Sequence, residues 1–295
     1  MKKVLVTGVS VIDFIFKLDH IPKEFEKFRA RDASISGGGI AANAAVAISK
    51  LGGTASLATR LGDDEIGLMI KKELIEEGVN IEFVKVFKEK KSSFSSVYID
   101  KNGERQVVNF RDTSLPRTPV WLQKINKHDA YLADTRWNDG AVETLKIARK
   151  FNCPGVLDAE ETVSKEAIEN ASHIAFSLNG LQKFTNKKNI LDGLKDISKI
   201  TSNWACVTNG EDGVYYIENS KLFNIPALKV DVKDTLGAGD VWHGAFTLSL
   251  AEGNNEINSI KFANYAAGIK CTVFGGRKGY PTREKLNNLI KNNDI

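Results

Sequence analysis

Cysteine is scarce in this chain, with three among 295 residues. Cys153, Cys206 and Cys271 lie far apart, form no C-x-x-C pair and sit in apolar runs, so neither a disulfide framework nor a thiolate metal site is expected. Histidine is almost as rare: His20, His128 and His173 show no partner pattern for a metal or a triad and read as surface or structural residues. No apolar run reaches the length that crosses a bilayer. The opening stretch from Met1 to Val6 meets Gly8, Ser10 and Asp13 before a secretory core could form, and a cytoplasmic location is expected. Charge is not concentrated either. A net charge of +4 is spread along the sequence, unlike the clustered basic stripe of a nucleic-acid protein. These absences leave a small-molecule partner, with no nucleic acid and no membrane.

What is present is an alternation of strand-like and helix-like segments. Val4 to Val9 is a β-branched run that ends in glycine and polar residues, as a buried central strand ending at a site would. Phe14 to Ile35 alternates and then carries the charged stretch Lys23-Glu24-Phe25-Glu26-Lys27, which reads as an excursion from the core. Gly37-Gly38-Gly39 leads into Ile40 to Ile48, whose small residues suit a closely packed helix. Ala55 to Leu61 reads as a strand and Ile66 to Glu77 as a helix. Ser93 to Ile99 and Arg105 to Phe110 flank Asp100-Lys101-Asn102-Gly103, a hairpin signal. From Asp129 onward, strands at 130–133, 155–157, 174–176 and 204–208 alternate with helices at 141–150 and 188–200. A second hairpin follows over 214–217 and 221–225. The pattern predicts an α/β fold with a mostly parallel central sheet flanked by helices. The core is expected over 1–13, 37–91 and 119–295, with a small β lid over 14–36 and 92–118.

The chemistry concentrates in Asp234-Thr235-Leu236-Gly237-Ala238-Gly239-Asp240. Two glycines around an alanine open a helix of small and apolar residues, where converging backbone N–H groups and the helix dipole favour an anion. Asp240 stands just past that nest, placed to take a proton from an alcohol that attacks the same phosphorus. His243 beside it reads as a packing histidine, and Trp121, Trp137 and Trp204 as packing anchors. A dinucleotide-binding reading fails on spacing, because the triple glycine follows the first strand only after a long insertion.

The string from Asp234 to Asp240 resembles the D-T-x-G-A-G-D signature of ribokinase-like, phosphofructokinase-B-type carbohydrate kinases. Gly38-Gly39-Ile40-Ala41-Ala42-Asn43 and Gly62-Asp63-Asp64-Glu65-Ile66-Gly67 resemble two further motifs of that family, so the likeness spans nearly the whole chain. It implies a ribokinase-like three-layer domain, Asp240 as catalytic base and the amides of Gly237, Ala238 and Gly239 as an anion hole. It also implies Asp13, Gly39 and Asn43 as ligands to sugar hydroxyls, and Thr208, Asn209, Gly210 and Asn264 beside ATP. Magnesium would travel with the ATP phosphates, and no protein metal ligand is assigned. The family's N-x-x-E segment is altered, with Ser177 and Gly180 at its positions when Lys183-Phe184-Thr185 is aligned, which also leaves room for a non-catalytic sensor on the same fold. A monovalent cation such as K⁺ near Asp234 and the Gly275 loop, and a homodimer formed through the lid, are further implications.

Within the family the chain is most similar to bacterial sulfofructose kinases, which phosphorylate O1 of 6-deoxy-6-sulfofructose. The likeness rests on Glu26-Lys27-Phe28, on Gly103-Glu104-Arg105 through Asn109-Phe110, on Leu132 to Gly140, and on Lys270-Cys271-Thr272 with Gly275-Gly276-Arg277. A sulfonate has three acceptor oxygens and calls for fixed cations and neutral donors. Lys27, Asn109 and Arg136 match that subgroup's sulfonate-binding positions, with Arg111 and Arg277 in reserve. Ribose, fructose, 2-keto-3-deoxygluconate and sugar phosphates are the competing substrates.

Overall fold

Val4, Leu5 and Val6 are all shut off from solvent, because the first strand lies inside the sheet and both its faces are covered. The computed structural model describes residues 1–23, 25 and 27–292; Glu24 and Glu26, and with Glu26 part of one motif of the subgroup likeness, lie outside them. Strand β1 (Lys3–Thr7) is followed by β2 (Val11–Lys17) and β3 (Asp32–Gly38), then α1 (Ile40–Lys50), β4 (Thr54–Gly62), α2 (Glu65–Glu76) and β5 (Val84–Phe87). The hairpin β6 (Phe94–Ile99) and β7 (Arg105–Phe110) precedes an alternating run: β8 (Ala130–Asp134), α3 (Asn138–Lys150), β9 (Gly155–Ala159), α4 (Lys165–Asn170) and β10 (His173–Ser177). The chain continues through α5 (Leu178–Thr185), α6 (Ile190–Ile200), β11 (Trp204–Thr208), β12 (Val214–Glu218) and β13 (Lys221–Ile225), and closes with α7 (Ala238–Ala251), α8 (Glu256–Cys271) and α9 (Arg283–Asn292).

Nine strands form one sheet in the order β13-β12-β11-β10-β9-β8-β1-β4-β5. From β11 to β5 every pairing is parallel, and the hairpin β12–β13 adds an antiparallel edge. Side chains alternate across the sheet. Val4 and Val6 pack under α1, α2, α7, α8 and α9, while Leu157, Phe176 and Val207 pack under α3 to α6. The result is the expected three-layer α/β fold. Helices α1 and α7 approach closely because Gly244 has no side chain; a Cβ there would stand 2.7 Å from the Ala44 carbonyl oxygen. That contact sets Asn43, on α1, beside the first turn of α7.

The small second sheet has the order β3-β2-β6-β7. Its register places Ser36, Asp13, Ser95 and Asn109 in one cross-strand row, which puts all four on one face. The edge strand β7 is exposed along its length, Val107 and Val108 included. Asp64 caps α2 by accepting from the Gly67 amide at 2.9 Å and also accepts from the Ser92 amide at 2.9 Å, which ties the core to the strand that enters the lid. No described helix is long and apolar enough to cross a membrane.

Candidate active site

The loops that leave the carboxyl ends of the parallel strands converge with the N-termini of α1 and α7, the usual place for a ligand in a sheet of this kind. Gly237, with φ +78°, turns the chain into α7. Val241 donates to the Gly237 carbonyl at 3.0 Å and Ala238 to the Thr235 carbonyl at 3.1 Å. This corrects one expectation. The amides with no internal partner among the described residues are those of Gly237, Gly239 and Asp240, whereas that of Ala238 is turned back to close the loop. A Cβ on Gly239 would meet nothing within 4 Å, so this side of the helix start faces open space.

Asp240 accepts a hydrogen bond from Asn43 Nδ2 at 2.6 Å. Asn43 Oδ1 accepts from Arg277 Nε at 2.9 Å, and Arg277 Nη1 pairs with Glu73 at 2.6 Å. Glu73 in turn accepts from the Gly37 amide at 3.0 Å. The chain of contacts therefore fixes the carboxylate from behind. Arg277 is corrected as a reserve anion ligand, because its guanidinium is buried and held by Asn43, Glu73 and the Gly38 carbonyl. Burial raises the Asp240 pKa, Asn43 and Arg277 lower it, and Asp134 and Glu160 raise it again, to a net value of about 6. A carboxylate poised there is ionised at neutral pH yet able to accept a proton.

Asp13 joins the same cluster. Its pKa is raised by burial against opposing effects of the Ser95 hydrogen bond and the Arg277 charge, and a Cβ on Gly38 would fall 2.3 Å from its Oδ2. Gly39 (φ +93°) lets the chain pass Val9 and Ser10, since a Cβ there would lie 2.6 Å from the Val9 carbonyl oxygen. Asp13, Gly39, Asn43 and Asp240 thus lie together at one end of the sheet.

Beside them opens a cavity of about 390 Å³. Four arginines line it: Arg60 from β4, Arg111 and Arg117 from the segment leaving the lid, and Arg136 after β8. Burial lowers the pKa of Arg111 and the charge of Arg136 lowers it further; Arg60 is likewise lowered by burial and by Arg117, against Asp139 and Asp134. Asp112 and Asp139 also line the cavity, so cations outnumber carboxylates there. Trp137 shapes the wall: its Nε1 donates to the Arg117 carbonyl at 2.8 Å and Arg60 lies over its ring at 4.7 Å. Ser10 Oγ, Arg136 Nε and Asn138 Oδ1 are buried without a partner among the described residues. All three belong to residues that line this cavity.

Of the three expected sulfonate ligands, only Arg136 lies there. Lys27 is exposed on the connection between β2 and β3 and does not line the cavity. Asn109 donates to Ser95 Oγ at 3.0 Å, in the cross-strand row with Asp13. Both are corrections of place, because the connection and the lid hairpin carry these side chains elsewhere. Sequence reasoning missed Arg60 and Arg117, and also Asp134 as a hub. The buried Asp134 carboxylate accepts from the amides of Val9 (2.8 Å), Ala41 (3.2 Å) and Arg136 (2.8 Å), and so ties three site segments together.

At the opposite end, Thr208 Oγ1 donates to the Phe176 carbonyl at 3.3 Å, Asn209 Nδ2 bonds Asp212, and Gly210 takes φ +52° with open space around it. Asn264 is corrected as a direct ligand. It is buried, accepts from Trp242 Nε1 at 2.8 Å and donates to the carbonyls of Ile225 and Pro226, so its amide braces the chain next to that end. Ser177 caps α5 through the Gly180 amide and donates to Glu160 at 3.3 Å, which brings a carboxylate from β9's end to the altered N-x-x-E segment. His243 is buried, as expected of a packing residue, and burial takes its pKa down to about 4.

A family model described as pfkB family carbohydrate kinase matches residues 1–283. Ribokinase of Bacillus subtilis is 27% identical over 300 residues, with 98% of this chain and 100% of that protein covered. A fructokinase of Vibrio alginolyticus is 27% identical over 316 residues, covering 98% and 99% of the two. Among solved structures, that of a candidate ribokinase from Agrobacterium tumefaciens superimposes with a TM-score of 0.89 at 32% identity, covering 99% of this chain and 98% of the other.

Proposed function

The chain belongs to the pfkB family of carbohydrate kinases and is an ATP-dependent sugar kinase; from that premise we propose that it phosphorylates a primary hydroxyl of a sugar whose other end is anionic. The sugar we favour is 6-deoxy-6-sulfofructose, phosphorylated at O1 to give the 1-phosphate and ADP. The observation that carries this reading is the arginine cavity, in which Ser10 Oγ and Arg136 Nε are donors with no partner among the described residues. With a neutral sugar tail the four guanidinium groups would face only the carboxylates of Asp112 and Asp139 in the lining, whereas sulfonate oxygens can accept from the arginines left in excess.

In this reading Asp13, Gly39 and Asn43 hold the sugar hydroxyls, and the acceptor hydroxyl lies against Asp240. As its oxygen attacks the γ-phosphorus, the O–H proton passes to the Asp240 carboxylate and the bond from phosphorus to the bridging oxygen breaks. The charge on the transferring group is met by the amides at the mouth of α7. The strand-end turn at Thr208, Asn209 and Gly210 borders the nucleotide, and Asn264 supports it from behind. Among the described residues no three His, Cys, Asp or Glu side chains form an ion cage. A magnesium ion carried on the phosphates fits this set, with Glu160 the carboxylate suited to its water shell; the ion would neutralise phosphate charge. A second copy docking through the lid would cover the bare edge of β7.

A kinetic panel tests the substrate class. With sulfofructose, fructose, fructose 6-phosphate and ribose compared at one ATP concentration, kcat/KM for sulfofructose should exceed that for fructose by roughly 10²–10³-fold, the worth of a desolvated charge contact. Preference for ribose or fructose would overturn the anionic reading and leave a kinase for neutral sugars.

A further inference from the structure

The monovalent cation expected near Asp234 and the Gly275 loop would need free oxygen ligands, but the residues present do not fit an ion from solution. Nitrogen donors already fill the position. Lys270, on α8, has no exposed surface. Its Nζ stands 2.6 Å from the Asp234 carbonyl oxygen and 3.0 Å from Asp234 Oδ2. The same Oδ2 accepts from the amides of Gly275 and Gly276, each at 3.2 Å. Oδ1 accepts from the Leu236 amide at 3.0 Å and from Arg105, on the lid hairpin, at 2.7 Å.

A lysine ammonium is a compact single positive charge with three donors. Buried without a carboxylate it would be strongly unfavourable, so its presence here depends on Asp234, whose charge it shares with Arg105. Asp234 opens the segment that runs through Leu236 into the Gly237 turn and the mouth of α7. A charge fixed at Asp234 therefore holds the loop that carries the anion nest. We propose that the Lys270 ammonium takes the place of the monovalent cation, as a tethered charge that positions residues 234–240, so that the enzyme needs no potassium or sodium. Lys270 is a positioning residue in this account. The inference does not depend on which sugar is accepted.

The test exchanges cations at constant ionic strength. With choline as the only monovalent cation, the intact enzyme should turn over its best sugar within about twofold of the rate in potassium, sodium or ammonium, and its melting temperature should be the same in each. Activation of several-fold by potassium, or a potassium-specific rise in melting temperature, would overturn the proposal. Lys270→Met removes the charge and keeps the apolar stem. It should melt about 5–10 °C lower in choline, as expected for a broken buried pair in a chain of this size, and should recover in part in potassium or ammonium. A folded variant indifferent to both ions would reduce Lys270 to a packing residue and also overturn the claim. Should that variant fail to fold, the cation exchange on the intact enzyme still decides the matter.

Discussion

Asp240→Asn lowers kcat by about 10²–10⁴-fold, the range that follows removal of a general base, with the affinity for ATP retained. The substitution keeps the shape of the side chain and leaves an oxygen to accept from Asn43 Nδ2, now at 2.6 Å from Asp240. It removes only the ability to take a proton. Its effect on stability has the opposite sign. The folded-state pKa of about 6 lies above the ordinary carboxylate value of 3.8, so protonation favours the folded state. Above pH 6 the ionised group is a burden on the fold; below the ordinary carboxylate range the burden is gone. The Asn variant should accordingly melt no lower than the parent at pH 8, and the two should converge as the pH falls toward 4. Single-turnover kinetics with a thermal melt at both pH values checks the pair of claims. A variant that is inactive because it has lost its fold would contradict them.

The second large effect concerns Arg136. Its backbone amide stays bonded to Asp134 at 2.8 Å whatever the side chain, so Arg136→Ala should preserve the loop. Truncating a charge that faces an anion in a desolvated cavity removes on the order of 2–5 kcal/mol. With a sulfonated sugar, kcat/KM should therefore fall by roughly 30- to 5000-fold. A neutral ketose should lose less than about threefold, because no contact to it is removed. Equal losses for both sugars would make Arg136 a brace of the sheet.

How much of the candidate site is legible in the sequence follows from how far a signal travels along the chain. Gly237, Gly239 and Asp240 are neighbours in sequence, and backbone geometry alone brings them to the mouth of one helix. Asn43 meets Asp240 across 197 positions, and the close approach of α1 to Gly244 that brings them together shows only in the fold. The lid was visible because period-two alternation and a turn tetrapeptide are local. The arginine cavity was only partly visible. Arg136 and Arg111 were singled out, but Arg60 on β4 and Arg117 on the lid's return look like ordinary charged residues until the sheet places them together. Lys270 shows the same limit: its burial follows from Asp234, which lies in the loop before α7. Asn264 differs from its expected place for a related reason: the sequence does not show that Trp242, Ile225 and Pro226 occupy its amide. The subgroup likeness implies Lys27 as an anion ligand, while the structure leaves it exposed on the lid connection.

The most direct test of the Asp240 assignment is the pH dependence of kcat/KM for the intact enzyme, read with a sulfonated or neutral sugar so that no phosphate on the acceptor titrates near pH 6. Ionisation at about 6 predicts a plateau above pH 7 and a tenfold fall per unit below the bend, absent from the residual rate of Asp240→Asn. A profile flat down to pH 4.5, or the same bend retained in the Asn variant, would show that another group takes the proton.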